Sequence, residues 1–290
     1  MQIDEVGTIR AELGEGPLWD ATRQCLWFVD IMRGHVHRFD PENGSDRIYE
    51  IGQPVGAVAC SVRGDLVCAV RDGFLRLDVE SGTLTPLASV EADNPRNRMN
   101  DGYVDARGRF WAGTMSMHHE RGQGALYRLD PDGIVTQHLG GVTTSNGIDW
   151  SGDSRRMYFI DSGAPQIDVF DFDLERGAIS NRRRFAAVST PDGGKADGLI
   201  VDSEDHVWVA LWKGGQVRRY APDGTLVETV LLPTPLTTKP AFGGADLTDL
   251  YVTSAFIDLT LDERALSPAA GALFHLRPGV RGRAPRLAFV

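Results

Sequence analysis

The chain has 290 residues, 42% hydrophobic and 24% charged, with a formal net charge of −10. These are ordinary values for a globular protein, and the acidic balance argues against nucleic acid or anionic membrane as partners, since both recruit basic faces. No run of about eighteen apolar residues is present, so no segment is expected to span a bilayer. The opening stretch Met1–Glu5 is acidic and lacks the apolar region of a secretory signal. Cys25, Cys60 and Cys68 form no CxxC pair and read as small buried hydrophobes in a reducing compartment, which makes the cytoplasm the expected location.

In chain order, one pattern returns six times: Gly, a few apolar residues, a polar turn, then a short β-branched or aromatic run. It reads GPLWDATRQCLWFVD from Gly16, GAVACSVRGDLVCAV from Gly56 and GYVDARGRFWAGT from Gly102. It continues as GIDWSGDSRRMYFID from Gly147, GLIVDSEDHVWVALW from Gly198 and GGADLTDLYVTSA from Gly243. The starts lie roughly 40 to 51 residues apart, the period of a four-stranded propeller blade. A second half-motif follows each copy, from VHRFDPENG at Val36 to LFHLRPG at Leu273. Each is an alternating strand closed by a turn rich in Asp, Pro, Asn and Gly. Leu261–Leu266 is the one segment suited to a helical turn. The expectation is an all-β, six-bladed β-propeller with four-stranded antiparallel blades, formed as one domain over residues 1–290. Its ring should be closed by the N-terminal strand, Gln2–Arg10, joining the last blade beside Arg286–Val290, because open sheet edges are a liability.

The innermost strand of a blade runs along the central channel, so the residues at its start face the axis. The residue before each blade-opening glycine is Glu15, Val55, Asp101, Asn146, Asp197 and Phe242 in turn. Asp-Gly and Asn-Gly are also turn dipeptides, but here they precede strands at matching repeat positions. Three carboxylates and one amide around a narrow axis would raise each other's pKa unless a cation intervened. Oxygen ligands suit Ca²⁺, Mg²⁺ or Mn²⁺ and accept Fe²⁺ or Zn²⁺, so the metal's identity stays open.

Several segments resemble the SMP-30/gluconolactonase/regucalcin family. They are LGEGPLW at Leu13–Trp19, LWFVDI at Leu26–Ile31, RMNDGYVDARGRFWAGTM at Arg98–Met115, SNGIDW at Ser145–Trp150 and ADGLIVDSEDHVWVALW at Ala196–Trp212. The resemblance covers essentially the whole chain, in order. It implies a six-bladed propeller with one divalent metal and sugar-lactone hydrolase activity. By motif it places the metal ligands on Glu15, Asn146 and Asp197, and the substrate contacts on Arg98 and Asn100. Asp101 then belongs behind the ligands or beside the reacting water. The family often carries an acid in a loop over the substrate after the GTM motif. Here that loop reads Ser116-Met117-His118-His119-Glu120, so which of His118, His119 or Glu120 meets substrate stays open.

A lactone is an activated cyclic ester. Its hydrolysis needs an electrophilic contact on the carbonyl, which a divalent cation supplies, and a base for the water. Asp197 is the first candidate base and Asp101 the second; Arg98 and Asn100 would position sugar hydroxyls or the carbonyl oxygen. No GxSxG occurs and no cysteine falls at a blade start, so nothing suggests a covalent nucleophile. Two alternatives stand beside the lactonase: a non-catalytic calcium-binding propeller, and a phosphotriesterase-like hydrolase by fold analogy. The expected partner is a small-molecule sugar lactone, and no obligate protein partner is implied. Lys239, in TTKPAFGG, is placed by its sequence equally well in the pocket as the sixth blade's entry begins or on an exposed loop, and is left outside the site.

Overall fold

The computed structural model describes residues 1–189 and 193–290. It forms six four-stranded antiparallel sheets, arranged as the blades of a propeller. The inner strands of blades 1 to 6 are Gly14–Asp20, Val55–Cys60, Asn97–Val104, Ser145–Trp150, Lys195–Val201 and Thr237–Gly243, and each touches the next around the ring. In blades 1 to 5 the sheet order follows the chain order. The exposed helix Leu261–Leu266 lies within blade 6, and its N-terminus is closed by a capping box between Thr260 and Glu263. No helix among the described residues is long and apolar enough to cross a membrane.

The recurrent apolar run follows from burial on both faces of each second strand. In blade 1, Cys25, Trp27 and Val29 pack toward blade 2, while Leu26 and Phe28 pack toward blade 6. In blade 4, Tyr158 and Ile160 pack toward blade 5, whereas Met157 and Phe159 pack toward blade 3. Among the described residues the buried apolar side chains form six clusters, one between each pair of neighbouring blades. Strand alternation therefore feeds two cores at once, and cutting one blade out would uncover both.

A buried aspartate at the end of the inner strand, or just after it, recurs as a second device. Asp20, Asp105 and Asp202 each accept the indole N–H of a fully buried tryptophan, Trp27, Trp111 and Trp208, at 3.2, 2.9 and 3.0 Å. The same carboxylates accept backbone N–H groups of the hairpin into the second strand. One carboxylate thus fixes a turn and orients the largest core side chain.

Closure differs from expectation in one respect. The N-terminal strand Ile3–Val6 does complete blade 6, but it pairs with Leu273–Leu276 and not with Arg286–Val290. Pro278 and Pro285 offer no N–H to a ladder, and the chain leaves the sheet after Leu276. The tail crosses the propeller's other face, where Arg283 Nη2 donates to Trp150 O at 2.5 Å, Ala288 bridges Ser61, and Phe289 N donates to Gly108 O at 3.0 Å.

Asp202→Ala should cost about 3–5 kcal/mol, because Trp208 and the Arg219 guanidinium lose a shared acceptor in the core. Glu175→Ala, which removes an exposed, solvent-screened pair with Arg107, should leave the unfolding midpoint almost unchanged. Urea unfolding of the two variants against wild type measures the contrast.

Candidate metal and substrate site

Every inner strand carries a register irregularity near its start, falling between Glu15 and Leu18, Val55 and Ala57, Met99 and Gly102, Ser145 and Ile148, Ala196 and Leu199, and Thr237 and Pro240. Such bulges re-aim side chains, here toward the axis. Cross-strand partners then set true equivalence. Leu18, Val58, Tyr103, Asp149, Ile200 and Ala241 oppose Trp27, Cys68, Trp111, Tyr158, Trp208 and Tyr251. Three residues before each lies the ring at the mouth: Glu15, Val55, Asn100, Asn146, Asp197 and Thr238.

The register corrects two positions of the sequence-derived ring. In blade 3 the ring member is Asn100, and Asp101 occupies the place that Gly16, Gly56, Gly147 and Gly198 fill elsewhere. In blade 6 the ring member is Thr238, four residues before Phe242. The missed signal is that a side chain stands where the other blades keep glycine. Lys239, set aside from sequence, occupies the glycine place in blade 6 and donates to Asp101.

Glu15, Asn146 and Asp197 converge on one cavity of about 200 Å³ at the mouth, together with Arg98 and Asn100. Neither Asp101 nor Lys239 lines it. The backbone leading to two ring members is clamped from behind. Asp30 accepts from Glu12 N and Leu13 N at 2.8 and 3.1 Å, and Asp161 accepts from Thr143 N and Thr144 N, both at 3.0 Å.

The amide of Asn146 is oriented by its neighbours. Ser162 Oγ donates its proton to Ala196 O at 2.6 Å, so it can only accept from Asn146 Nδ2, at 3.0 Å. Asn146 Oδ1 is thereby left buried with no donor. Beside it stand two carboxylates that burial disfavours in their charged form. Glu15 is pushed up to about 8, by burial first and by Asp101 second. Asp197 is raised well above the usual carboxylate range by burial, then by Glu15 and Asp101. An orphan carbonyl oxygen beside two repelling carboxylates is a donor set that fits a hard divalent cation. No group of three His, Cys, Asp or Glu side chains arranged for a metal occurs among the described residues; the set relies on an amide oxygen.

Arg98 is buried, and burial lowers its pKa to about 10 against the pull of Glu15 and Asp197, so it remains a cation at neutral pH. Its Nη1 donates to Met99 O at 2.9 Å and to Asn100 Oδ1 at 2.7 Å, while Asn100 Nδ2 donates to Ser145 O at 2.8 Å. Among the described residues no carboxylate lies within 4.0 Å of the guanidinium. Of the three loop candidates, His119 lines the cavity, on a left-handed backbone with φ 56°. Glu120 turns outward to Arg96 at 2.5 Å, and His118 does not line the cavity. Met32, Ser162, Lys195, Trp212 and Ile257, none of them among the site residues expected from sequence, also line it.

A family model described as SMP-30/Gluconolactonase/LRE-like region matches residues 13–256. Regucalcin of Xenopus laevis is 40% identical over 292 residues, covering 98% of this chain and 97% of that protein. A crystal structure described as a calcium-binding protein, regucalcin, from Agrobacterium tumefaciens str. C58 is similar, with TM-score 0.93 at 31% identity, covering 99% of this chain and 98% of that one. A solved luciferin-regenerating enzyme is similar with TM-score 0.94 at 29% identity, covering 100% and 99% of the two chains.

In chelator the raised carboxylates bind protons in the folded state that the unfolded chain has already released. Stability should therefore fall as pH rises from about 4.5, where the unfolded groups ionise, to about 8. A saturating divalent cation should flatten this slope, and Glu15→Gln should reduce it in chelator. Calorimetric Tm at pH 5, 6, 7 and 8, with and without cation, measures both effects.

Proposed function

The chain belongs to the SMP-30/gluconolactonase/LRE-like family, and from the chemistry of its axial mouth we propose a hydrolase that opens sugar lactones to sugar acids with one divalent cation. The observation that carries this reading is the buried, donorless Asn146 Oδ1 beside Glu15 and Asp197, in the same cavity as a cationic Arg98. Glu15, Asn146 and Asp197 would hold the ion. When bound, it supplies Lewis-acid polarisation of the lactone carbonyl and lowers the pKa of water.

The protein's own groups supply the rest. Arg98 is anchored through Nη1 to Asn100 and Met99, so its remaining N–H groups are held rigidly for a sugar oxygen or the carbonyl oxygen. Asn100 is fixed at both ends of its amide and sets the place of Arg98. Asp197 lines the cavity beside the place the ion would take, and as a carboxylate kept ionised by that ion it is the group suited to accept the proton of the attacking water. Asp101 lies beneath the mouth and does not line the cavity, with Oδ1 committed to Lys239 and to Gly102 N, so it does not serve as a second base. The half-buried wall of Met32, Trp212 and Ile257 suits the C–H faces of a sugar ring and keeps bulk water from the reacting ester.

The test is a panel of aldonolactones with a phosphotriester included, assayed with and without chelator. Metal-dependent acid release from the lactones is expected. Metal binding without turnover of any substrate would favour the calcium-binding alternative, consistent with the description of the Agrobacterium protein. Asp197→Ala should abolish both metal binding and hydrolysis while the protein stays folded, read by calorimetry, rate and circular dichroism.

Arg98→Ala should leave metal affinity intact and lower kcat/KM about ten- to hundredfold, the value of one charged hydrogen bond of about 1.5–3 kcal/mol. The loss should be greater for a fully hydroxylated lactone than for an unsubstituted one. An equal loss on both assigns the guanidinium to the shared carbonyl, and no loss on either removes it from the site.

A further inference from the structure

A second charged layer lies one residue beyond the mouth. It is formed by Gly16, Gly56, Asp101, Gly147, Gly198 and Lys239. The four glycines leave the axis open for the two side chains. A Cβ on Gly198 would stand 2.4 Å from both Cβ and Cγ of Lys239, so the lysine stem passes over that glycine. Asp101 and Lys239 are each 2% exposed. Lys239 Nζ donates to Asp101 Oδ1 and, at 3.4 Å, to Gly102 O, and it lies 5.7 Å from the centre of the Tyr103 ring. Asp101 Oδ1 also accepts from Gly102 N at 2.6 Å, while Oδ2 is buried with no partner.

A carboxylate and a backbone carbonyl on a narrow axis are the oxygen donors that a hard cation takes. Here an ammonium sits on them. A buried lysine is costly unless it balances a charge, and the unpartnered Oδ2 shows that the pair is not closed on itself. Both members also act on the mouth, Asp101 pushing Glu15 and Asp197 up and Lys239 opposing it.

We propose that the Lys239 ammonium is a built-in cation of the axis, held by Asp101 in the place of a second ion, so that the channel accepts one divalent ion at the mouth and no other. This rests on the reading of Glu15, Asn146 and Asp197 as cation ligands. Lys239 then offsets the push of Asp101 on the mouth, where the two carboxylates of the ring itself hold the ion.

The experiment counts ions bound to the full chain and measures their affinity, by calorimetry and elemental analysis with Ca²⁺ and with Mn²⁺. Wild type should bind one ion per chain, Lys239→Met two, and the double variant Asp101→Asn/Lys239→Met one again. Asp101→Asn leaves the ammonium uncompensated and should weaken the ion at the mouth about tenfold or more; it reads the same charge if Lys239→Met does not fold. Only one ion in folded Lys239→Met, or unchanged affinity in Asp101→Asn, overturns the proposal. No ion in wild type overturns the cation reading of the mouth itself, and this inference with it.

Discussion

Carboxylates held out of water on a narrow axis repel one another, and the rest of this structure is arranged around that repulsion. Glu15 and Asp197 come from the inner strands of the first and fifth blades, and Asp101 lies one residue beneath their ring. Left to themselves they would swing outward to solvent. They are held inward by a backbone with little freedom: bulged inner strands, aspartate clamps at Asp30 and Asp161, and six cores that lock each blade to both neighbours. The stability of the blades is thus what keeps an electrostatically unfavourable mouth assembled. A cation would relieve the repulsion at the ring, as the Lys239 ammonium does one layer down.

The same reasoning accounts for the partners that are absent. A buried amide oxygen normally finds a donor. Asn146 Oδ1 has none because Ser162 spends its proton on Ala196 O, which forces Asn146 to turn its NH₂ group that way. Asn146 is thus satisfied through Nδ2 and open through Oδ1. Arg98 follows this pattern through Nη1 alone. Its lowered pKa comes from burial and not from a paired acid, so its charge is available to a ligand.

The repeat was legible because two half-motifs recur in order, and the two-sided core explains why LWFVD-type runs carry no polar alternation. The ring was legible wherever a glycine marks the position after it, as in Glu15-Gly16, Asn146-Gly147 and Asp197-Gly198. It was misplaced by one residue in blade 3 and by four in blade 6, where Asp101 and Lys239 replace that glycine and another glycine further on supplies a false mark. The buried charge pair was illegible for the same reason, since it depends on two substitutions in blades remote in sequence. The position of His119 over the cavity depends on a left-handed backbone and on Glu120 pairing outward with Arg96. Neither follows from residue type. The tail could not be placed because its partners, Ser61, Gly108 and Trp150, belong to distant blades.

The cavity divides its labour by strand. Most of the groups suited to a cation stand at the starts of inner strands, where the ring geometry is shared by all blades. The groups that would meet the outer part of a substrate stand where second strands end: Met32 in blade 1, Met117 and His119 in blade 3, Trp212 in blade 5 and Ile257 in blade 6. These exits are followed by connections that carry few constraints from the core; in blade 6 the connection includes the helix Leu261–Leu266, none of whose residues is buried. A change of loop can therefore reshape the wall of the cavity without disturbing Glu15, Asn146 or Asp197, since their clamps lie in the strands and in the turns leading into them. The reverse does not hold. A change in the register of an inner strand would move its ring side chain off the axis and turn its core residues toward the wrong neighbour. On the proposed reading, cation chemistry and blade packing are thus bound to one backbone register, whereas the choice of substrate is left to the rim.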